Sequence, residues 1–186
     1  MRLSKYQLGE LIELCDERNL NLKFGVKNVR GVEASGNFID TRANMNGVDT
    51  SKYTIVRKDN FAYNPARINL GSISIYTDDT PCIVSPMYIV FKVIDTEKIL
   101  PTYLEMFFKR KEFQRYTWFY AIGSVRDTFS FENMCEIEID LPQLEIQQKF
   151  VDIYNAMILN EKIKTQIKEL CPVLIQGALK EAREKR

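Results

Sequence analysis

Apolar positions change their spacing three times along this chain. Over residues 4–18, Leu8, Leu11, Ile12 and Cys15 recur at helical intervals, with Ser4 placed as an N-cap and Gln7 three residues on. That pattern predicts a short amphipathic helix. Over residues 19–47 the periodicity is lost, and Gly25, Gly31, Gly36 and Gly47 interrupt short apolar pairs among several asparagines. Loops with short strands are expected there, and irregular segments of such length are often functional. Residues 53–57, 68–76 and 88–93 then read as strands, with a bulge or turn at Gly71 and a turn over 77–81.

Two helical pieces follow. Asp95 or Thr96 is placed to cap a helix running through Ile99, with Pro101 in its first turn. Leu104, Phe107 and Phe108 would face inward, and Lys109, Arg110 and Lys111 outward. A second piece, 112–120, carries Phe113, Tyr116, Trp118 and Phe119. Residues 136–141 alternate polar and apolar, a strand ended by Pro142.

Beyond Pro142 the pattern changes again. Residues 144–170 contain no Gly or Pro and carry Ile146, Phe150, Ile153, Met157, Ile163, Ile167 and Leu170. Most steps are three or four residues, interrupted at Asn160, which predicts a long helix and in part a coiled-coil seam. Such a helix is about 40 Å long. Pro172 is expected to stop or kink it, with a second short helix over 173–184. The seam either packs along the domain or meets a partner helix. The fold class is therefore α+β: a mixed domain over 1–143 and a helical arm over 144–186.

Composition narrows the chemistry. The 186 residues include no histidine, which removes Ser-His-Asp and Cys-His catalysis, imidazole metal ligation and the commonest neutral-pH base. Cys15, Cys82, Cys135 and Cys171 are far apart, without a CxxC pair, so free thiols are expected rather than a metal site. No apolar run approaches the roughly 20 residues that span a bilayer. No apolar segment follows the first residues as a signal peptide would require, so a cytoplasmic protein with no membrane association is expected.

Net charge is only +1, but it is unevenly spread. Residues 23–58 hold seven basic residues against three acids, and 98–126 hold six against two, so each zone is +4. Residues 59–97 are at −3, and five acids stand alone over 127–143. Basic zones in a neutral chain suit either one nucleic-acid-facing surface or an ordinary mixed-charge exterior. There is no P-loop, no GxGxxG and no Asn/Asp-Pro-Pro-Tyr/Phe motif. Asp95-Thr-Glu-Lys98 and the pair Asp78-Asp79 are the only nuclease-like clusters, and neither has the strand context that chemistry uses.

Three stretches together resemble the specificity subunits of type I restriction-modification systems. They are Lys5-Tyr-Gln-Leu-Gly-Glu-Leu-Ile-Glu-Leu-Cys-Asp-Glu-Arg-Asn19, then Tyr63-Asn-Pro-Ala-Arg-Ile-Asn-Leu-Gly-Ser72 with Val84-Ser-Pro-Met-Tyr-Ile-Val-Phe91. The last is Gly123-Ser-Val-Arg-Asp-Thr-Phe-Ser-Phe131, followed by Ile139-Asp-Leu-Pro-Gln-Leu-Glu-Ile-Gln-Gln148. The resemblance implies a DNA target-recognition domain with a helical spacer, and no catalysis of its own. It also implies modification subunits as partners, which use S-adenosylmethionine to methylate adenine, and a separate ATP- and Mg²⁺-dependent subunit that cuts. The chain has no expected cofactor itself. Family members usually carry two recognition domains and two spacers, whereas this sequence holds one of each. A half-subunit, truncation or fragment is expected, pairing with a second copy or another half-subunit through Ile146, Phe150, Ile153, Met157, Ile163, Ile167 and Leu170. The alternative is an assembly protein that binds modification subunits through the arm without reading DNA.

Several residues have the chemistry for DNA. Arg67, between Pro65 and Gly71, suits a phosphate or an acidic neighbour such as Asp59 or Asp95. Gly123, Ser124 and Arg126 suit a phosphate or a tight turn. Lys27, Asn28, Arg30, Asn37, Arg42, Asn44 and Asn46 in the Gly-rich loops are candidate base readers, since Arg matches guanine and Asn matches adenine. Lys109, Arg110, Lys111 and Arg115 are either phosphate contacts or a solvated helix face.

Overall fold

The structure is a computed structural model that describes residues 3–121 and 128–184. Contacts divide the chain into two compact units, Met1–Gln147 and Gln148–Arg186.

The first unit is built on strands. The expected N-terminal helix is instead β1 (Ser4–Gln7), a 3-10 turn (Leu8–Glu10) and β2 (Ile12–Leu14). Leu8, Leu11 and Ile12 are buried as the helix reading required, but the backbone follows long-range pairing rather than local periodicity. β1 lies antiparallel to β10 (Glu138–Leu141), with Ser4 opposite Leu141. The capping contact falls three residues later than expected, from Gln7 N–H to the Glu10 carboxylate at 2.9 Å.

Two four-stranded sheets follow. One has the order β2, β9 (Ile89–Val93), β6 (Asn60–Tyr63), β7 (Ile73–Ile75); the other β4 (Phe38–Asp40), β3 (Val29–Val32), β8 (Cys82–Val84), β5 (Thr54–Val56). Every pairing is antiparallel except β3 with β8. The predicted strand over 68–76 breaks into a 3-10 turn (Ile68–Leu70), a left-handed Gly71 and β7.

Side chains alternate across the first sheet and bury both faces. Phe61, Tyr63 and Phe91 meet α1 (Pro101–Phe108) and α2 (Lys111–Ala121) through Leu104, Phe108 and Phe113. Phe108 stands edge-on to Phe61 at 5.6 Å and to Phe91 at 6.0 Å. Ala62 and Val90 face the other way, toward Val32, Val56 and Val84 of the second sheet. A third small nucleus, Phe24, Val29, Ile55 and Ile83 with Met45 and Tyr53, draws on both Gly-rich loops.

Helix boundaries also move. α1 begins at Pro101 behind Leu100, not at Asp95, whose carboxylate instead accepts Glu97 N–H in the preceding turn. An unforeseen α3 (Phe131–Cys135) starts at Ser130, whose hydroxyl accepts Asn133 N–H at 3.2 Å. α4 (Leu144–Glu184) runs through Pro172 rather than stopping there. Proline removes one backbone hydrogen bond, and neighbouring turns keep theirs, so no second helix forms. Among the described residues no helix is long and apolar enough to cross a membrane.

Candidate nucleic-acid interface

The Gly-rich loops are held from inside by one asparagine. Asn19 is buried; its Nδ2 donates to Phe24 O at 2.8 Å and its Oδ1 accepts Phe24 N–H at 3.1 Å. The same Nδ2 reaches Thr50 O, which ties loop 19–28 to loop 41–53. No feature of the sequence marked Asn19 apart from its neighbours, because its partners lie up to 31 residues away.

Around that clasp the expected base readers divide. Arg30 donates to Lys27 O at 2.9 Å and pairs with Asp40 at 2.9 Å, so it braces the β3–β4 hairpin. Asn28 Oδ1 accepts Gly25 N–H at 3.2 Å, and Asn44 Oδ1 accepts Asn46 N–H at 3.1 Å. Each asparagine is thereby oriented by its own loop. The Nδ2 of both has no partner among the described residues. Asn37 donates to Ser35. Lys27 and Arg42 are exposed, and the nearest carboxylate to Arg42 is Glu33 at 3.9 Å.

The Arg67 turn is rigid for a different reason. Asn64 is buried and accepts Ala66 N–H at 3.0 Å, while Arg67 N–H donates to Asn64 O at 2.9 Å. Gly71 has φ +97°, and a Cβ there would sit 2.5 Å from Ala34 O. Ser72 Oγ donates to Val32 O at 2.6 Å. Together these bring the β3–β4 tip against the Arg67 turn. Gln114 of α2 is adjacent as well, its Nε2 3.0 Å from the same Cβ position. Arg67 is exposed and forms no side-chain ion pair among the described residues; neither Asp59 nor Asp95 takes it. Phe129 N–H donates to Pro65 O at 3.0 Å, so the chain just after residues 123–126 returns to this turn. Ser124 and Arg126 lie outside the described residues.

Ion pairing redraws the charge map. Lys92 pairs with Glu13 at 3.0 Å, Arg57 with Glu17 at 2.6 Å, Lys58 with Asp79 at 2.7 Å and Lys98 with Asp95 at 2.8 Å. Lys109 pairs with Glu105 at 2.9 Å, and Arg110 and Arg115 share Glu112. Both acids of the second +4 zone are thus engaged by its own cations, and Lys98 draws in Asp95 from outside, while the zone keeps a net positive charge. Among the described residues no ion pair involves Lys23, Lys27, Lys52, Arg67 or Lys111. Three of these five belong to the Gly-rich loops.

The nuclease-like acids are engaged too. Lys98 holds Asp95 below the usual carboxylate range, and Lys58 does the same for Asp79. Burial pushes the Cys82 thiol up to about 11. Among the described residues no group of three His, Cys, Asp or Glu side chains is gathered to hold a metal.

Gln147 in the first turn of α4 was not singled out as a site and is fully buried. Its Nε2 donates to Lys98 O at 2.8 Å and Pro142 O at 2.9 Å, and its Oε1 accepts Leu100 N–H at 3.0 Å. Along the second unit the expected seam residues Phe150, Ile153, Met157, Ile163, Ile167 and Leu170 are exposed, and Ile146, at the end of the first unit, is half-buried.

Comparison with known proteins adds the family. No curated protein matches the sequence. The structure is similar to an HsdS subunit from Thermoanaerobacter tengcongensis (TM-score 0.63, 15% identity, covering 89% of this chain and 44% of that one). It is similar to a chain from a study of complex assembly and conformational transition of the type I R-M system (0.60, 16% identity, 97% and 49%). It also resembles the S subunit of a type I restriction-modification system from M. genitalium (0.54, 17% identity, 94% and 43%). These likenesses establish a shared fold, and the chain spans about half the length of each neighbour. The family described as type I restriction modification DNA specificity domain matches residues 3–170, which takes in both sheets, α1 to α3 and most of α4. With that match over nearly its whole length, the chain belongs to the type I restriction modification DNA specificity domain family.

Proposed function

We propose that this chain reads a duplex DNA half-site and positions adenine-methyltransferase subunits, and with them a restriction subunit, on it. The observation that carries the reading is the difference in pairing among the cations: Lys23, Lys27, Lys52 and Arg67 have no acidic partner among the described residues, while Arg57, Lys58 and Lys92 are each paired with a carboxylate. Residues 1–143 form the recognition domain and 144–186 the spacer. The chain itself performs no chemistry; S-adenosylmethionine, ATP and Mg²⁺ act on the partner subunits.

Phosphate contacts release counterions, so affinity is expected to fall with salt at a log-log slope of about −0.9 per phosphate neutralised. Arg67→Ala should weaken every duplex alike and lower the slope by about one, and Lys27→Ala should alter sequence preference. Arg57→Ala, which removes a cation already paired with Glu17, should leave DNA binding near wild type. Fluorescence anisotropy on target and scrambled duplexes at several salt concentrations measures all three. A flat salt response of the wild type would defeat the reading.

The exposed apolar seam of α4 supports a second element: the arm pairs with another arm or holds the modification subunits. Salt-insensitive DNA affinity combined with tight methyltransferase binding would favour the assembly-only alternative.

A further inference from the structure

Four apolar side chains stand in solvent on the Gly-rich loops: Leu20 (71% exposed), Leu22 (58%), Val26 (46%) and Val48 (39%). None contributes to the nucleus beneath, which Phe24, Val29, Ile55 and Ile83 fill. Leu22 is also held at φ +50°, a conformation that favours glycine over a side chain with a Cβ. Its N–H donates to Asn19 O at 2.9 Å, and the buried Asn19 amide locks the turn from both sides of Phe24. The loop therefore keeps a large apolar group, more than half exposed, at a strained position.

The surroundings indicate what meets it. Lys23, Lys27 and Lys52 lie on the same loops without ion pairs among the described residues. Asp49 is an acid in loop 41–53, and its two carboxylate oxygens accept from Ser51 N–H and Ser51 Oγ, each at 2.8 Å. An apolar tip on loops that carry unpaired lysines complements a DNA groove, where thymine methyls and the base steps accept apolar side chains and the rims are phosphates. An apolar protein surface with basic rims would not be matched in charge.

We propose that Leu20 and Leu22 form an apolar finger that enters a groove of the bound duplex beside Lys27 and Asn28, excluding water from their contacts with the bases. This rests on the DNA-reading function proposed above and adds the residues that read by contact rather than by charge.

The test uses the full chain assembled with its methyltransferase. Leu22→Gly relieves the positive φ, so its melting temperature should equal or exceed wild type. Its affinity for the target duplex should nevertheless fall about tenfold, or about 1.4 kcal/mol. The salt slope should stay the same because no charge is lost. Leu20→Ser, at a position without backbone strain, should show the same loss. Wild-type affinity in both variants would overturn the proposal. So would a loss of methyltransferase binding with DNA affinity unchanged, which would assign the tip to a protein partner. The wild-type salt dependence, measured alone, separates failure of the DNA reading from failure of the finger.

Discussion

Gly71 and Leu22 show how single residues set this surface. Both have positive φ, and only one is glycine. At Gly71 the sequence announced a turn, but the reason no other residue fits lies with Ala34, distant in sequence and touching in space. Gly71→Ala is expected to cost about 2 kcal/mol or more, from backbone strain and from the 2.5 Å approach to the Ala34 carbonyl. Gly25→Ala, with nothing within 4 Å of its Cβ position, should change stability by less than about 0.5 kcal/mol. Urea denaturation of the two variants checks the contrast. DNA affinity should fall with Gly71→Ala as the β3–β4 tip and the Arg67 turn separate.

Among the elements, the start of α4 depends most on a single side chain. Gln147 satisfies Leu100 N–H, Lys98 O and Pro142 O, so it ties the 98–100 turn and Pro142 to the start of α4. Gln147→Leu fills a similar volume and leaves those groups buried without partners, at about 1–3 kcal/mol for each that water does not reach. A loss of about 3 kcal/mol in urea unfolding is expected, and a loss below about 1 kcal/mol would show that water replaces the amide. Leu100 caps α1, so exchange of the first amide hydrogens of Pro101–Phe108 should quicken in the same variant.

At the scale of the whole molecule, the exposed seam on α4 is suited to a partner helix. Ile153, Met157, Ile167 and Leu170 are each more than half exposed, and burying such area is worth about 25 cal/mol per Å². Two copies paired antiparallel through their arms would bury it on both and carry a recognition domain at each end. The DNA target would then be two inverted half-sites around a fixed spacer. Inserting seven residues in the arm adds about 10 Å, so the spacer should lengthen by about three base pairs while both half-sites persist. Methylation mapping reads this directly. A monomer by light scattering at micromolar concentration, alone and with the methyltransferase, would count against pairing. Two unrelated half-sites would indicate a different second arm.

The long helix, the strand at β9, the helical α2 and the family resemblance were all legible along the chain, because each rests on periodicity or motif order within a short window, although only Val90 and Phe91 of β9 are buried. The N-terminal strands were not: Leu8, Leu11 and Ile12 satisfy helical spacing, but Ser4–Gln7 and Ile12–Leu14 are drawn out by pairing with β10 and β9, more than 70 residues away, and Leu8 is left in the 3-10 turn between them. Candidate DNA residues were legible by type but not by availability. Arg30, Arg57 and Lys58 look the same in sequence as Lys27 and Arg67, and they differ because folding sets a sequence-distant acid beside each of them. Local patterning determined which segments fold and what chemistry they carry. Tertiary contact decided which charges stay free, since an ion pair depends on distance in space, which one-dimensional spacing does not encode.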